Sequence, residues 1–410
     1  MNTTLCRFCG HELGETFADL GVSPLSNAFV HPKMVDHQEQ VYPLHAKVCP
    51  ACWLVQLPEI QSPDLIFSEY LYFSSFSETW LHHARMFSDT AMRRFRLGAS
   101  STVVEIASND GYLLQFFHAA GVAVLGVEPA ENVAQVAIAK GIPTEIAFFG
   151  CATAERLRAA GCRPDLIVAN NVLAHVPDIN DFVAGIALLL PSEGVAIIEF
   201  PHLLRLIENN QFDTIYHEHF SYLSLLTTEQ IFLRHGLSVV EVEELETHGG
   251  SLRVHVRPCG HDTPQDSSVP VMLSHERAFG LESVEVYRDF ARRIEAVKSD
   301  VVEFLVEAKR NGKTVLGYGA PAKGNTLLNY CGIGPDMLAF TVDRNPHKQG
   351  LLLPGSHIPV RAPEDLIAAR PDYVFILPWN LRSEIIDQLS QIRAHGGAFA
   401  VPIPHLEIIP

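Results

Sequence analysis

Between Thr102 and Phe200 five apolar runs, Thr102–Ala107, Ala123–Val127, Pro143–Phe148, Asp165–Ala169 and Gly194–Phe200, alternate with segments of helical character. Strand-length runs that alternate with helices pair in parallel through crossover helices, so this stretch predicts an open α/β sheet. The rhythm changes after Gln211. A helical stretch at Thr228–His235 leads to Leu237–Glu244 and Gly250–Arg257, with a turn at Thr247–Gly249 between them. These two runs are expected to pair as an antiparallel hairpin, which makes seven strands with an antiparallel pair at one end.

A chain of 410 residues exceeds what one hydrophobic core serves, and two flanking regions complete it. Residues 1–60 read as short extended pieces broken by Gly and Pro, with helical pattern from Glu69 to Leu97. Val284, Tyr287, Phe290, Ile294, Val297, Val301, Phe304 and Ala308 recur three or four apart, which predicts one long helix over Leu281–Lys309. Thr314–Tyr318, a helix around Asn325–Tyr330, Met337–Val342, Tyr373–Leu377, Ser383–Leu389 and Ala398–Val401 then imply a second, smaller α/β domain. The expected division is a module at 1–66, a central domain at 67–280 and a C-terminal domain at 281–410.

Apolar residues make up 47% of the chain and charged residues 19%, and no apolar run approaches the roughly 18 residues that cross a bilayer. Met1–Arg7 has no basic patch followed by an apolar core. A soluble, cytoplasmic monomer is expected. With a formal charge of -17 and no run of Lys or Arg, nucleic acid and anionic membranes are unsuitable partners, which leaves a small molecule.

Of eight cysteines, four form two tight pairs in CRFCG and CPACW: Cys6 with Cys9, and Cys49 with Cys52. In a reducing compartment two C-x-x-C turns point to four thiolates on one tetrahedral ion, zinc being the simplest. Such a set leaves no position for water, so its role is structural. His11 and His45 lie nearby as substitutes that the set does not need. The scattered Cys151, Cys162, Cys259 and Cys331 read as buried small hydrophobes.

Candidate chemistry gathers at the ends of the strands. In VVEIASNDGYLLQFF, Glu105 lies on a strand, Ala107, Asn109, Asp110 and Gly111 form a turn, and a helix starts near Tyr112. Backbone N–H groups there can hold a carboxylate or hydroxyls, while the spacing fits neither a P-loop nor a dinucleotide fingerprint. One strand later Glu128 in VLGVEPA can accept from two ribose hydroxyls, and together the two signals suggest an adenosine-bearing donor. A structural turn and a surface carboxylate are the plain alternative. IVANNVLAHVPD sets Asn170, Asn171 and His175 at the same edge; if the turn is helical, Asn171 and His175 share a face.

YHEHFSYLSL crowds Tyr216, His217, Glu218 and His219 together. If extended, the segment turns Tyr216 and Glu218 one way and His217 and His219 the other. Acid/base work suits the group better than a metal, with tyrosine as donor to a developing oxyanion. A solvated surface loop is the alternative. GYGAPAKGNTLLNY offers Gly317, Gly319, Gly324, Lys323 and Asn325 around a strand-turn-helix, and Asp343 follows the next strand. These could meet a phosphate, or the Asp could simply cap a turn.

Taken in order, CxxC...CxxC, EIASNDGYLL, NNVLAHVPD, YHEHFSYLSL, HGGSLRV and GYGAPAKGNTLLN resemble the nucleotide-sugar C-methyltransferase family along nearly the whole chain. The resemblance implies a class I methyltransferase (Rossmann-like) sheet that binds S-adenosylmethionine, an N-terminal zinc-binding domain and a C-terminal α/β domain that helps hold a nucleotide sugar. It implies methylation at C3 of a thymidine-diphosphate-linked 4-keto-6-deoxy sugar. His219 is then the base, Tyr216 lies close to the enolate, Glu218 supports them, and Asn171 and His175 belong to the active-site loop. Glu105, Ala107, Asn109, Asp110, Gly111, Glu128 and Asn170 fall to the donor, and Lys323 and Asn325 to the sugar nucleotide. Tyr70 and Tyr72 in SEYLYFSSFSETW match an aromatic segment that closes over both. The turn's Ala107 and Ser108 replace the glycines usual in other methyltransferases.

Overall fold

The structure, a computed structural model, describes residues 5–60, 74–76 and 78–410; Tyr70 and Tyr72 lie outside the described residues. The described strands form three sheets. In the first, β1 (Glu15–Ser23) pairs antiparallel with β2 (Tyr42–Val48), which pairs with β3 (Val55–Gln56).

The central sheet takes β4 (Thr102–Ile106), β5 (Ala123–Val127), β6 (Thr144–Glu145), β7 (Leu166–Asn170) and β8 (Val195–Pro201) in parallel. Helices cover both faces of these strands, and Leu166, Ile167, Val168 and Ala169 are all sealed from solvent, as continuous apolar runs in parallel sheets are. The edge strand β6 is shorter than the apolar run that predicted it. After β8 comes β9 (Ser221–Tyr222), which leaves this sheet and pairs with β3 instead, Val55 opposite Tyr222 and Gln56 opposite Ser221. The hairpin of β10 (Leu237–Leu245) and β11 (Ser251–Pro258) forms as expected and joins antiparallel to β8. The order is β10-β11-β8-β7-β4-β5-β6. Strand order reverses beside β4, and crevices at such a switch point, at the carboxyl ends of the strands, are where open α/β sheets take ligands.

The helix Val284–Arg310 buries Tyr287, Phe290, Ile294, Val297, Val301, Leu305 and Ala308; Leu305 takes the inward place expected of Phe304. This apolar stripe is not a free connector. Phe290 stacks on Phe17 of β1 with centroids 4.6 Å apart, and Tyr287 stacks on Trp53 at 6.2 Å. The third sheet comprises β12 (Val315–Tyr318), β13 (Thr341–Val342), β14 (Val360–Arg361), β15 (Tyr373–Ile376), β16 (Ala398–Val401) and β17 (Glu407–Ile409), in the order β14-β13-β12-β15-β16-β17. It is parallel except for its last pair.

Among the described residues no helix is long and apolar enough to cross a membrane. Of the scattered cysteines only Cys331 is buried; Cys151 and Cys162 are partly covered and Cys259 is exposed, so the expectation of four small buried hydrophobes is corrected.

Candidate active site at the carboxyl edge of the central sheet

The two C-x-x-C turns come together. Their four sulfurs lie within 4.8 Å of one another, with Cys6 Sγ 3.6 Å from Cys52 Sγ and Cys9 Sγ 3.5 Å from Cys49 Sγ. Sulfurs at about 2.3 Å from a tetrahedral zinc sit about 3.8 Å apart, so the donor set fits that ion and leaves no ligand position over. Matching backbone turns shape both halves: Gly10 N donates to Cys6 O at 2.9 Å and Trp53 N to Cys49 O at 2.8 Å. His45 is engaged elsewhere, with Thr16 Oγ1 at 2.9 Å. Gln56 of β3 donates to Cys6 Sγ at 3.2 Å, and Thr227 Oγ1 donates to Cys52 O at 3.2 Å. The cluster thereby braces the strand that pairs with β9, two residues beyond His219.

At the switch point the turn after β4 carries left-handed φ at Ala107 (56°), Asn109 (49°) and Gly111 (76°), and the following helix starts at Leu114, slightly later than predicted. A side chain at Gly111 would press on Ile142 Cγ1 at 3.2 Å. Both oxygens of Glu128 accept backbone N–H groups, from Asn109 and Ala130, each at 2.9 Å. The carboxylate thus fastens the turn and keeps lone pairs for further donors. Lys140 Nζ lies 3.2 Å from Asp110 Oδ2. Burial pushes the Glu105 carboxyl well above its ordinary range, helped by nearby Glu128 and Asp110.

Four buried oxygens here, Glu105 Oε2, Ser108 Oγ, Asp110 Oδ1 and Asn170 Oδ1, have no hydrogen-bond partner among the described residues. An acceptor-rich crevice matches a ligand bearing an ammonium, ribose hydroxyls and a sulfonium, as S-adenosylmethionine does. Trp80 stands over this edge, stacked with His83 at 4.9 Å and with Tyr112 at 6.0 Å.

YHEHF is a turn, which corrects the extended reading: His219 N donates to Tyr216 O at 2.9 Å. The chain reversal brings Tyr216 and His219 to the same side, with ring centroids 4.0 Å apart, and His175 stands edge-on to His219 at 4.7 Å. His217 points away and donates to Pro43 O at 3.3 Å. The Glu218 carboxylate is buried and accepts from Asn27 Nδ2 at 2.7 Å; burial raises its pKa to about 7.

His219 Nδ1 lies 2.8 Å from Thr214 O. A carbonyl only accepts, so the neutral ring carries its proton on Nδ1 and its basic nitrogen is Nε2. Burial, with His175 close by, holds His219 well below the usual histidine range, and burial lowers His175 to about 4. Both rings are neutral near pH 7. His175 Nδ1 donates to Glu218 O at 2.9 Å, so Glu218 supports that ring through its backbone.

Asn171 has φ 54° and precedes the short 3-10 turn Leu173–His175, so the two side chains do not share a helical face. Asn171 Nδ2 instead lies 3.4 Å from His248 Nε2. Glu199, a lone acid in an apolar run, and Asp213 escaped the sequence reading, which took His248 only as part of the HGGSLRV motif and of the turn at Thr247–Gly249. Glu199, fully buried, holds Arg253 Nη2 at 3.1 Å, His83 at 3.4 Å and Thr247 Oγ1 at 3.1 Å.

Lys323 Nζ sits 4.2 Å over the Trp379 ring and donates to Asn380 Oδ1; burial lowers its pKa to about 8 although Asp213 opposes this. Asn325 is buried; its Nδ2 donates to Ser26 O at 2.6 Å, while its Oδ1 has no hydrogen-bond partner among the described residues. The glycine turn of the last domain is filled by protein. A Cβ at Gly319 would meet Pro378 Cδ at 2.5 Å and one at Gly317 would meet Thr341 Oγ1 at 2.7 Å. Asp343 accepts from Ala320 N at 2.7 Å and Asn345 N at 2.8 Å, so it caps the turn.

Residues 6–67 match the family "Putative zinc binding domain", residues 80–242 "Methyltransferase domain" and residues 246–404 "C-methyltransferase C-terminal domain". The chain is 39% identical over 404 residues to the C-methyltransferase NovU of Streptomyces niveus, covering 98% of this chain and 96% of that protein. Among solved structures, an S-adenosylmethionine-dependent methyltransferase from Mesorhizobium loti aligns at 16% identity and a TM-score of 0.35, covering 43% of this chain and 99% of that one. One from Clostridium acetobutylicum ATCC 824 aligns at 12% identity and a TM-score of 0.34, covering 43% and 91%. With a full-length relative, three matching domains in order and a four-cysteine cluster, the chain belongs to the S-adenosylmethionine-dependent C-methyltransferases that carry an N-terminal zinc-binding domain.

Proposed function

We propose that the acceptor is a nucleotide-linked 4-keto-6-deoxy sugar, with thymidine diphosphate as its nucleotide, methylated at C3 through an enolate. The observation that carries this is the contact of Tyr216 with a His219 ring whose Nδ1–H is tied to Thr214 O and whose Nε2 is basic. A carbon beside a ketone becomes nucleophilic only after losing a proton. His219 Nε2 takes that proton, Tyr216 donates toward the enolate oxygen, and His175 and Asn171 complete the pocket. Bound S-adenosylmethionine supplies an electrophilic methyl group, and Glu105, Ala107, Asn109, Asp110, Gly111, Glu128 and Asn170 are the residues that hold it. A closed pocket then serves alignment and exclusion of water.

Lys323 is assigned to the diphosphate, and Tyr70 and Tyr72 to the cover of the site. Asn325 is kept with the sugar nucleotide, its Nδ2 bonded to Ser26 O and its Oδ1 left over as an acceptor. The division 1–66, 67–280 and 281–410 is retained as the functional division of the chain. The test is incubation with TDP-4-keto-6-deoxyglucose in deuterated water. Exchange at C3 without donor, and a C-methylated product with it, are expected; a product methylated on oxygen, or no exchange, would reject the enolate scheme.

A further inference from the structure

His248, Gly249 and Gly250 all have left-handed φ, at 55°, 92° and 118°. Glycine adopts such angles freely, whereas a histidine there is strained. The two glycines are required by their surroundings: a Cβ at Gly249 would meet Trp379 Cη2 at 2.7 Å, and one at Gly250 would meet Arg205 Cγ at 2.7 Å. The turn is also fastened without the imidazole. Thr247 Oγ1 donates to Glu199, Gln211 Nε2 donates to Gly249 O at 2.7 Å, and His202 N donates to Gly250 O at 3.0 Å. The backbone of the turn therefore does not require a histidine instead of a third glycine at 248.

The ring itself is exposed at the cleft, 3.4 Å from the Asn171 amide and edge-on to Trp80 at 5.4 Å. Asn171 is likewise left-handed, and its Oδ1 is buried with no partner among the described residues. His248, strained in the β10–β11 turn, thus meets Asn171 at the end of β7 and stands within electrostatic reach of His175 and His219. Strain held by an over-determined surrounding is a mark of a working site.

We propose that His248 touches the acceptor, forming with the Asn171 amide a second hydrogen-bonding wall that holds an oxygen next to the reacting carbon. The identity of that oxygen rests on the keto-sugar reading above; the contact itself does not. His248→Gly relieves the strain and His248→Asn keeps a polar group that tolerates left-handed φ. Expected for His248→Gly are a thermal midpoint within about 2 °C of wild type or higher and unchanged affinity for S-adenosylhomocysteine by calorimetry. Its kcat on TDP-4-keto-6-deoxyglucose should fall about 100-fold, with partial recovery in His248→Asn.

Wild-type kcat and KM in His248→Gly would overturn the assignment. So would a midpoint lowered by more than about 5 °C, since the ring would then be architectural. If wild-type protein neither exchanges nor methylates this sugar, the keto-sugar reading fails alone. The midpoint comparison still decides His248: a stable glycine variant supports a binding role and a destabilised one rejects it.

Discussion

An imidazole surrounded by other rings and tied through one nitrogen cannot titrate as it does in water. His219 is in that position, so its ring stays neutral over the whole neutral range, and on the proposed scheme so weak a base would need a partner for the enolate. His219→Asn is expected to lower kcat by about 10²–10⁴-fold while S-adenosylhomocysteine binds as before in calorimetry; turnover near wild type would remove His219 from the role. Glu218 sits in the same turn, and its carboxyl is raised by burial from 4.5 to about 7. The folded state holds that proton more tightly than the unfolded chain, so its contribution to stability is complete below pH 4.5 and is lost as pH rises through 7. Glu218→Gln should therefore be more stable than wild type at pH 8 by about 1–3 kcal/mol, with the gap closing near pH 4. Denaturant unfolding at both pH values checks this; an equal gap at each would mean that Glu218 does not titrate there.

Elements bring those residues together, and the pairing of β3 with β9 anchors the chain just beyond the YHEHF turn. Gln56 bonds to Cys6 Sγ on one side and faces Ser221 on the other, so the cysteine cluster and the YHEHF turn share one strand pair. Zinc removal should therefore reach the turn to which the proposed scheme assigns the acid–base chemistry. Chelation, or Cys52→Ser, is expected to lower kcat by at least about tenfold and to lower the thermal midpoint. S-Adenosylhomocysteine affinity should stay within about threefold, because the proposed donor residues lie after β4 and β5, outside the cysteine module. Parallel loss of donor affinity would show the module to be a general support of the fold. The β10–β11 hairpin plays the corresponding part on the other side, its turn pinned by Glu199 and by Trp379.

Across the whole molecule the last domain is bound to the site by a few buried polar contacts. Trp379 Nε1 donates to Asp213 Oδ2 at 2.7 Å and Thr326 Oγ1 donates to Ile215 O at 3.1 Å, both in the segment that leads into Tyr216. Trp379→Phe would leave the buried Asp213 carboxylate without its donor; a loss of about 1–3 kcal/mol and a several-fold rise in acceptor KM at unchanged donor affinity are expected. Unfolding curves and steady-state kinetics would show this, and an unchanged KM would separate the contact from acceptor binding. The alternation of strands and helices, the closing hairpin, the long amphipathic helix and the cysteine pairs were all legible in the residues, because each depends on periodicity or on spacing within one segment. So was the order of motifs along the strand ends. Which side of the YHEHF turn each side chain takes was not legible, since two-residue alternation presumes an extended strand and the chain reverses there. Nor could local pattern reveal that Asn325 spends its amide on Ser26, or that His248 meets Asn171 across 77 residues. Contacts between distant segments depend on how packed elements bring them together, and a lone polar residue carries no period from which its partner can be read.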